Sequence, residues 1–306
     1  MERVNESRAS GAHARSAVGP REAVLQETPA IDGRPGWETI TLLATVKAYP
    51  VIAQKSGESV CVAGVRLDTP EPSWVRLFPV GFRALPRAQQ FHKYDVIRLR
   101  AQRKHGSDRR PETYAPDLGS LVVGPHVDTD KGRWQRRSEL VGDLRGATTT
   151  CALAARARVA GQDAPSLGLV KPRDVRLTLS DNPEYKPGGE PLVDVDLFGE
   201  ERDVLEKTPF IATYDYRCAD EPSCRGHKQT IIDWESGQLA RRNLATMDPE
   251  QARAAHRRRF QDEMFAVGKD TYFYVGNQHR HPGSFLVLGL FSPRGNPQPA
   301  LPFDSL

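Results

Sequence analysis

The chain has 306 residues, with 43 Lys and Arg against 39 Asp and Glu, so its formal net charge is only +4. That length corresponds to roughly two domains and is ample for a real hydrophobic core. No run approaches the ~20 consecutive apolar residues of a membrane span, and no apolar segment follows Met1 as in a signal peptide. Four cysteines are too few for a disulfide scaffold, so a cytoplasmic protein with reduced thiols is expected.

Residues 1–36 read as a disordered leader: they are rich in Ala, Ser, Gly, Arg and Glu, and lack any sustained period of 2 or 3.6. Glu2, Glu6, Glu22 and Glu27 argue against an organellar transit peptide. From Thr39 the pattern changes to alternation. Ile40, Leu42, Ala44 and Val46 interleave with Thr41, Leu43, Thr45 and Lys47, which predicts a strand buried on at least one face. Further strands are expected at Ser59–Val65, Trp74–Val80 and Asp95–Ala101, separated by turns such as Ser56-Gly57 and Asp68-Thr69-Pro70. Four or five short strands in such a span predict a small barrel or a strongly bent sheet over residues 37–130, and an OB-like barrel fits the size.

Residues 131–292 read as an α+β domain. A helix is expected at Thr149–Val159, strands at Asp174–Leu179 and Phe210–Arg217, and a loop between them over Asp181–Glu190. The clearest helix follows Met247. Asp248 is a suitable N-cap, Pro249 takes the first helical position, and Ala252, His256, Phe260 and Met264 recur on one face until Gly268 supplies the stop. Strands at Thr271–Gly276 and Ser284–Phe291 form a hairpin around a His-rich loop. Residues 293–306, with Pro293, Pro297, Pro299 and Pro302, are expected to be a flexible tail.

The strongest chemical feature is Cys218-Ala-Asp-Glu-Pro-Ser-Cys224-Arg-Gly-His227. Zinc takes four N or S donors in a tetrahedron, and a short loop lets ligands converge at small entropic cost. Two thiols in so polar a turn are poorly placed as buried packing residues, which favours a metal over the ordinary reading of free cysteines beside a turn histidine. A closed, structural zinc site is expected. Its fourth ligand is not local; Cys151 is the first candidate, with Cys61 and His256 behind it. Immediately downstream, Asp233 and Glu235 combine with His227 as an alternative set for a metal-dependent nuclease. The simpler reading makes Asp233 the N-cap of a helix running through Leu239 to Arg242, and catalysis is not the favoured expectation.

Positive charge is locally concentrated. Residues 98–110 carry six Lys or Arg against one Asp. On a strand, Ile97, Leu99 and Ala101 would face a core while Arg98 and Arg100 share the opposite face, and Arg103 and Lys104 continue into a loop. Lys131, Arg133, Arg136 and Arg137 flank Trp134, and Arg257-Arg258-Arg259 follows on a helix, while acids gather at 194–203. Each cluster alone is an ordinary solvated face. Together their segregation points to nucleic acid, DNA or RNA, contacted by Arg98, Arg100, Arg103, Lys104, Arg133, Trp134, Arg136 and Arg137. Trp74, Arg76, Phe78 and Phe82 are either base-stacking residues or core, and at least one is expected to be core.

The runs Cys61-Val-Ala-Gly-Val65, Trp74-Val-Arg-Leu77, Tyr94-Asp-Val-Ile97 and Arg110-Pro-Glu-Thr-Tyr114 resemble the dual-OB-type domains of bacteria, over about residues 40–125. The resemblance implies an OB fold and nucleic-acid contact in genome maintenance or defence; it implies no catalytic residues and does not reach the Cys218–His227 cluster. The terminal Gln298-Pro-Ala-Leu-Pro-Phe303 is similar to short peptides that dock on the bacterial sliding clamp, with Gln298, Leu301 and Phe303 as anchors. Pro299 departs from the usual Leu of such peptides. On that reading the protein is an adaptor for a replication partner.

Overall fold

The computed structural model describes residues 24, 36–49, 51–53, 57–104, 106, 108–185, 193–195, 201–203 and 207–295. The leader expected over 1–36, apart from Val24 and Gly36, and the peptide containing Gln298, Leu301 and Phe303 lie outside these residues.

Five strands close a barrel: β1 (Glu38–Lys47), β3 (Gly57–Arg66), β4 (Ser73–Val80), β5 (Asp95–Arg103) and β6 (Thr113–His126), with a short β2 (Val51–Ala53) beside β3. β1 pairs with β3 and β5, β3 with β4, and β5 with β6, all antiparallel; the parallel β4–β6 contact completes the ring. Counted without β2, the strand order around the barrel is 1-2-3-5-4-1. Closure demands close approach at Gly64, where a Cβ would lie 2.1 Å from the Leu43 carbonyl oxygen.

The alternation read from the sequence explains only one side of β1. Ile40, Leu42 and Ala44 fill the barrel with Val62, Val75, Leu77, Ile97 and Leu99. Leu43 and Val46 point outward, yet they too are buried, with Ala63, Val65 and Val96, beneath Leu140, Leu167, Tyr274, Leu288 and Phe291 of the following domain. Both faces of β1 are therefore covered, and Thr41, Thr45 and Lys47 are buried along with the apolar residues. β6 was not foreseen from the pattern. Pro116, Gly119 and Pro125 interrupt it, and most of its residues are only half-buried, so its register comes from tertiary pairing.

The second domain is built from two three-stranded sheets. β8 (Pro172–Asp181), β11 (Phe210–Cys218) and β12 (His227–Thr230) form one, with β11 central. β7 (Leu167–Val170), β13 (Tyr272–Gln278) and β14 (His281–Phe291) form the other, with β13 central. A short β9–β10 pair (Val193–Val195, Glu201–Asp203) stands apart. Tyr214, Tyr216, Leu177, Phe273, Val275 and Val287 meet in one core, joined by Leu153 and Ala157 of a helix. A mixed α+β architecture after an N-terminal barrel is thus observed.

Four α-helices are described: α1 (Gln135–Val141), α2 (Thr150–Ala160), α3 (Trp234–Thr246) and α4 (Pro249–Arg257). The caps behave as their sequences dictate: the Asp233 carboxylate accepts from Glu235 N, and that of Asp248 from Gln251 N. Beyond α4 the chain does not stay α-helical to Gly268 but widens into a π-turn over Arg258–Glu263. There the Phe260 carbonyl accepts from Tyr214 Oη at 2.6 Å, and the Gln261 amide bonds the backbone of Val175 and Leu177. Tertiary partners have entered the helical ladder. At the other end of the domain, the expected tail is pinned as far as Gly295: Asp270 N donates to Pro293 O and Gly295 N to Gly268 O.

Candidate metal centre

Cys218 ends β11, Cys224 lies in the loop that follows, His227 opens β12, and Cys151 sits in the first turn of α2. Their ligand atoms, Sγ for the cysteines and a ring nitrogen for His227, all lie within 4.8 Å of one another. His227 Nε2 is 3.3 Å from Cys151 Sγ and 3.4 Å from Cys218 Sγ. Metal–sulfur and metal–nitrogen bonds of about 2.3 and 2.0 Å imply tetrahedral donor separations of roughly 3.5–3.8 Å, so the set fits a metal ion. The structure brings Cys151 to the local triplet. The other two candidates for the fourth position lie elsewhere: Cys61 takes a hydrogen bond from Arg76 Nη1 at 3.2 Å, and His256 contacts Ser236 Oγ at 3.2 Å.

Local chemistry explains how the four converge. Thr149 caps α2 through Ala152 N, which fixes Cys151 in the positive first turn of the helix. The β8–β11 register shifts between Asp215 and Arg217, and such an irregularity re-aims the strand end that carries Cys218. Gly226, at φ +107°, supplies the turn before His227. Tyr216 backs the site: its ring lies 5.3 Å from that of His227, and its hydroxyl links Thr150 to Gln229. Arg173 Nε donates to the Cys218 carbonyl at 3.2 Å.

The electrostatics suit an ion. Burial and the neighbouring thiols push Cys151 up to about 12, and burial raises Cys218. At Cys224 burial also acts upward, but N–H donors from Cys218 and Gly226 and the adjacent thiols outweigh it and lower its pKa. Burial lowers His227, which keeps the imidazole neutral and able to ligate. Without a cation, three thiolates would not coexist here; a bound metal would supply the charge that deprotonates them.

Asp233 and Glu235 are not part of this centre. No grouping of His227, Asp233 and Glu235 as metal ligands occurs among the described residues. Instead Lys93 Nζ stands 3.0 Å from Asp233 Oδ2 and 3.3 Å from Glu235 Oε2, in the position a shared cation would take. Lys93 and Asp233 are 5% and 2% exposed, whereas Glu235 is 61% exposed. Burial opposes the Lys93 charge, but the two carboxylates outweigh it and hold the ammonium protonated. The same ammonium holds Glu235 low, while burial pushes Asp233 up. Lys47, lowered to about 8 by burial, packs over Phe82 at 3.7 Å from the ring centre. Neither lysine had a sequence signal beyond its charge: each acquires meaning only where the barrel meets the second domain.

The residues expected to meet nucleic acid are dispersed and largely engaged within the chain. Arg98 Nε donates to Thr41 Oγ1 at 2.8 Å, Arg100 pairs with Asp117 at 3.0 Å, and Arg133 with Asp130 at 2.9 Å. Arg103 donates to the Pro111 carbonyl, and Lys104 Nζ lies 5.3 Å from the Phe78 ring centre. Arg136 is half-buried. Arg137 is a core residue, 5% exposed, bonded to Val127 O and lying 3.6 Å from the Tyr94 ring centre and 4.7 Å from that of Trp134. Trp134 is half-buried against Phe291 as well, so neither residue forms the exposed basic-aromatic surface expected of them. Phe82 is core, and Arg76 is buried with Nη2 on Ser166 Oγ at 2.8 Å.

The family described as Domain of unknown function (DUF8757) matches residues 146–306, more than half the chain, and includes all four ligands. The chain belongs to that family. A second, described as Domain of unknown function (DUF8758), matches residues 38–143, the barrel and α1. The two matched segments therefore meet just after α1, whose Leu140 and Val141 pack on the outer face of the barrel. No curated protein matches the chain. No helix among the described residues is long and apolar enough to cross a membrane.

Proposed function

We propose that the protein is a zinc-stabilised nucleic-acid-binding protein, with an OB-like barrel joined to a metal-held α+β domain, acting in bacterial genome maintenance or defence. The observation that carries the reading is the barrel's strand order, 1-2-3-5-4-1 with a parallel contact between its third and fifth strands. OB barrels are five-stranded Greek-key barrels that bind oligonucleotides and oligosaccharides. Zinc is the metal that three thiolates and one imidazole favour, since the donors are soft and the geometry tetrahedral. Four protein ligands leave no open position for a reactive water, which makes the site structural.

The usual OB ligand surface, strands 2 and 3 with the loop between strands 4 and 5, is occupied here by the second domain. Val65 of β3 lies beneath it, Trp74 of β4 meets Tyr274 edge-on at 6.1 Å, and Arg76 reaches Ser166. In the 4–5 loop, Arg110 donates to Asn277 O at 3.2 Å, and Arg109 pairs with Asp163 at 3.0 Å. Nucleic acid must therefore use another surface. No specific observation favours the hydrolytic alternative, because Lys93 neutralises the carboxylates it would need. Binding to labelled single- and double-stranded DNA and RNA, measured across a salt series, tests the proposal. The expected result is affinity at low salt that falls steeply as salt rises; no affinity for any of the four at low salt overturns it.

A further inference from the structure

The metal loop has a property its ligands alone do not reveal. Arg217 precedes Cys218, Arg225 follows Cys224, and Lys228 follows His227. On a strand, successive side chains point to opposite faces, so a residue beside an inward-facing ligand is turned outward. The strand ends follow this rule, with Cys218 buried and His227 half-buried beside exposed Arg217 and Lys228; in the loop between them Cys224 is buried and Arg225 exposed. The three cations line an open groove of about 500 Å³ together with Asp174, Asp215, Tyr216, Gly226 and His227. The outer face of β8 adds Arg176, which stands opposite Asp215, itself opposite Lys228 in the register.

We infer that this groove is the surface on which a nucleic-acid backbone lies, with Arg217, Arg225 and Lys228 as phosphate-binding residues positioned by the metal. The inference rests on the nucleic-acid reading above and names its site. Complementarity of charge is the argument. Arg217, Arg225, Lys228 and Arg176 form the cationic side, and the carboxylates present already have cationic neighbours: Asp174 lies 2.8 Å from Arg173 and 3.8 Å from Arg217, and Asp215 sits between Arg176 and Lys228. Asp220 and Glu221 belong to the same loop but do not line the groove. Tyr216, its one aromatic apart from the ligand His227, is buried, so no ring is offered for stacking on bases. The contact is therefore to phosphates, and it is indifferent to sequence.

The metal explains why flexible cations can serve this purpose. Unheld, a ten-residue loop would spread its charges over many positions; ligation at three points fixes the backbone beside each cation before any ligand arrives. The test uses full-length, metal-loaded protein and fluorescence anisotropy with a labelled oligonucleotide across a salt series. The variant Arg217→Gln/Arg225→Gln/Lys228→Gln is compared with Arg87→Gln/Arg242→Gln/Arg280→Gln, which removes equal charge at other exposed positions. The groove variant should lose affinity at least about tenfold at low salt, and its log–log salt slope should fall by about 2, since each lost phosphate contact lowers it by roughly 0.7–0.9. The second variant should stay within about threefold of the parent. All substituted groove residues are exposed, and metal content with the thermal midpoint confirms that the variant is folded. Unchanged affinity and slope in a folded, metal-loaded groove variant overturn this inference while leaving the nucleic-acid reading standing. Absence of binding by the parent protein overturns both.

Discussion

Two polar centres among the described residues are completed in opposite ways. In the second domain, three thiols and an imidazole converge in a set that could hold an ion from outside. At the junction with the barrel, Asp233 and Glu235 converge on a charge that the chain itself supplies, the Lys93 ammonium. Both centres join segments far apart in sequence: Cys151 and His227 are 76 residues apart, and Lys93 and Asp233 are 140. With an ion bound, the first would tie α2 to the β11–β12 loop through the metal. The second ties the two domains together unconditionally, alongside the apolar contacts of Leu43, Val65, Tyr274 and Phe291. A domain pair joined this way is expected to behave as one unit, because large apolar interfaces with buried ion pairs do not open readily.

The sharpest way to break the comparison is at Lys93. Lys93→Met removes the ammonium that pairs with Asp233 at 3.0 Å, leaving a buried carboxylate without that partner. The expected loss is about 3–5 kcal/mol in urea unfolding, with metal content unchanged. Combining it with Asp233→Asn should recover part of that loss, since the uncompensated charge is then gone. Loss of metal from Lys93→Met would show that the two centres are not separate.

A smaller effect is expected from pH. His256 is buried against Phe210 and Phe260, and burial lowers its pKa from 6.5 to about 4. The unfolded state therefore binds a proton that the folded state refuses in this window. Stability is complete above pH about 6.5 and declines toward about 4, with a limiting slope of roughly 1.4 kcal/mol per pH unit. His256→Gln should flatten that part of the profile. An unaltered acid limb in the variant would assign the loss to other groups, the thiol centre first among them, because metal ligation also weakens as its ligands are protonated.

How much of this was readable in the sequence follows from the range of each interaction. Helix caps at Asp233 and Asp248 depend on neighbours two or three residues away, and they were legible. So were Cys218, Cys224 and His227, because one short loop carries them. Cys151 could be ranked among distant candidates but not selected, since only the fold brings the first turn of α2, where Thr150 bonds Tyr216, beside Cys218 and His227. Arg137 illustrates the limit. Its setting, Arg-Arg beside Trp134, reads as a solvated basic patch, yet the left-handed backbone at Trp134 and Tyr94 places both rings around the guanidinium inside the core. Nothing in a run of charges tells which cation is enclosed. The barrel was legible in four of its five strands; β6, with its prolines, was set by pairing that the sequence pattern does not encode.

The central claim is that one metal ion is held by Cys151, Cys218, Cys224 and His227. It is tested most directly by metal analysis of purified protein and of a Cys151→Ser variant, which changes the ligand outside the local loop. The account predicts one zinc per chain in the parent and a large loss of zinc in the variant, together with weakened protection of α2 and β12 in hydrogen exchange. Stoichiometric zinc retained in Cys151→Ser, with α2 unaffected, would contradict it.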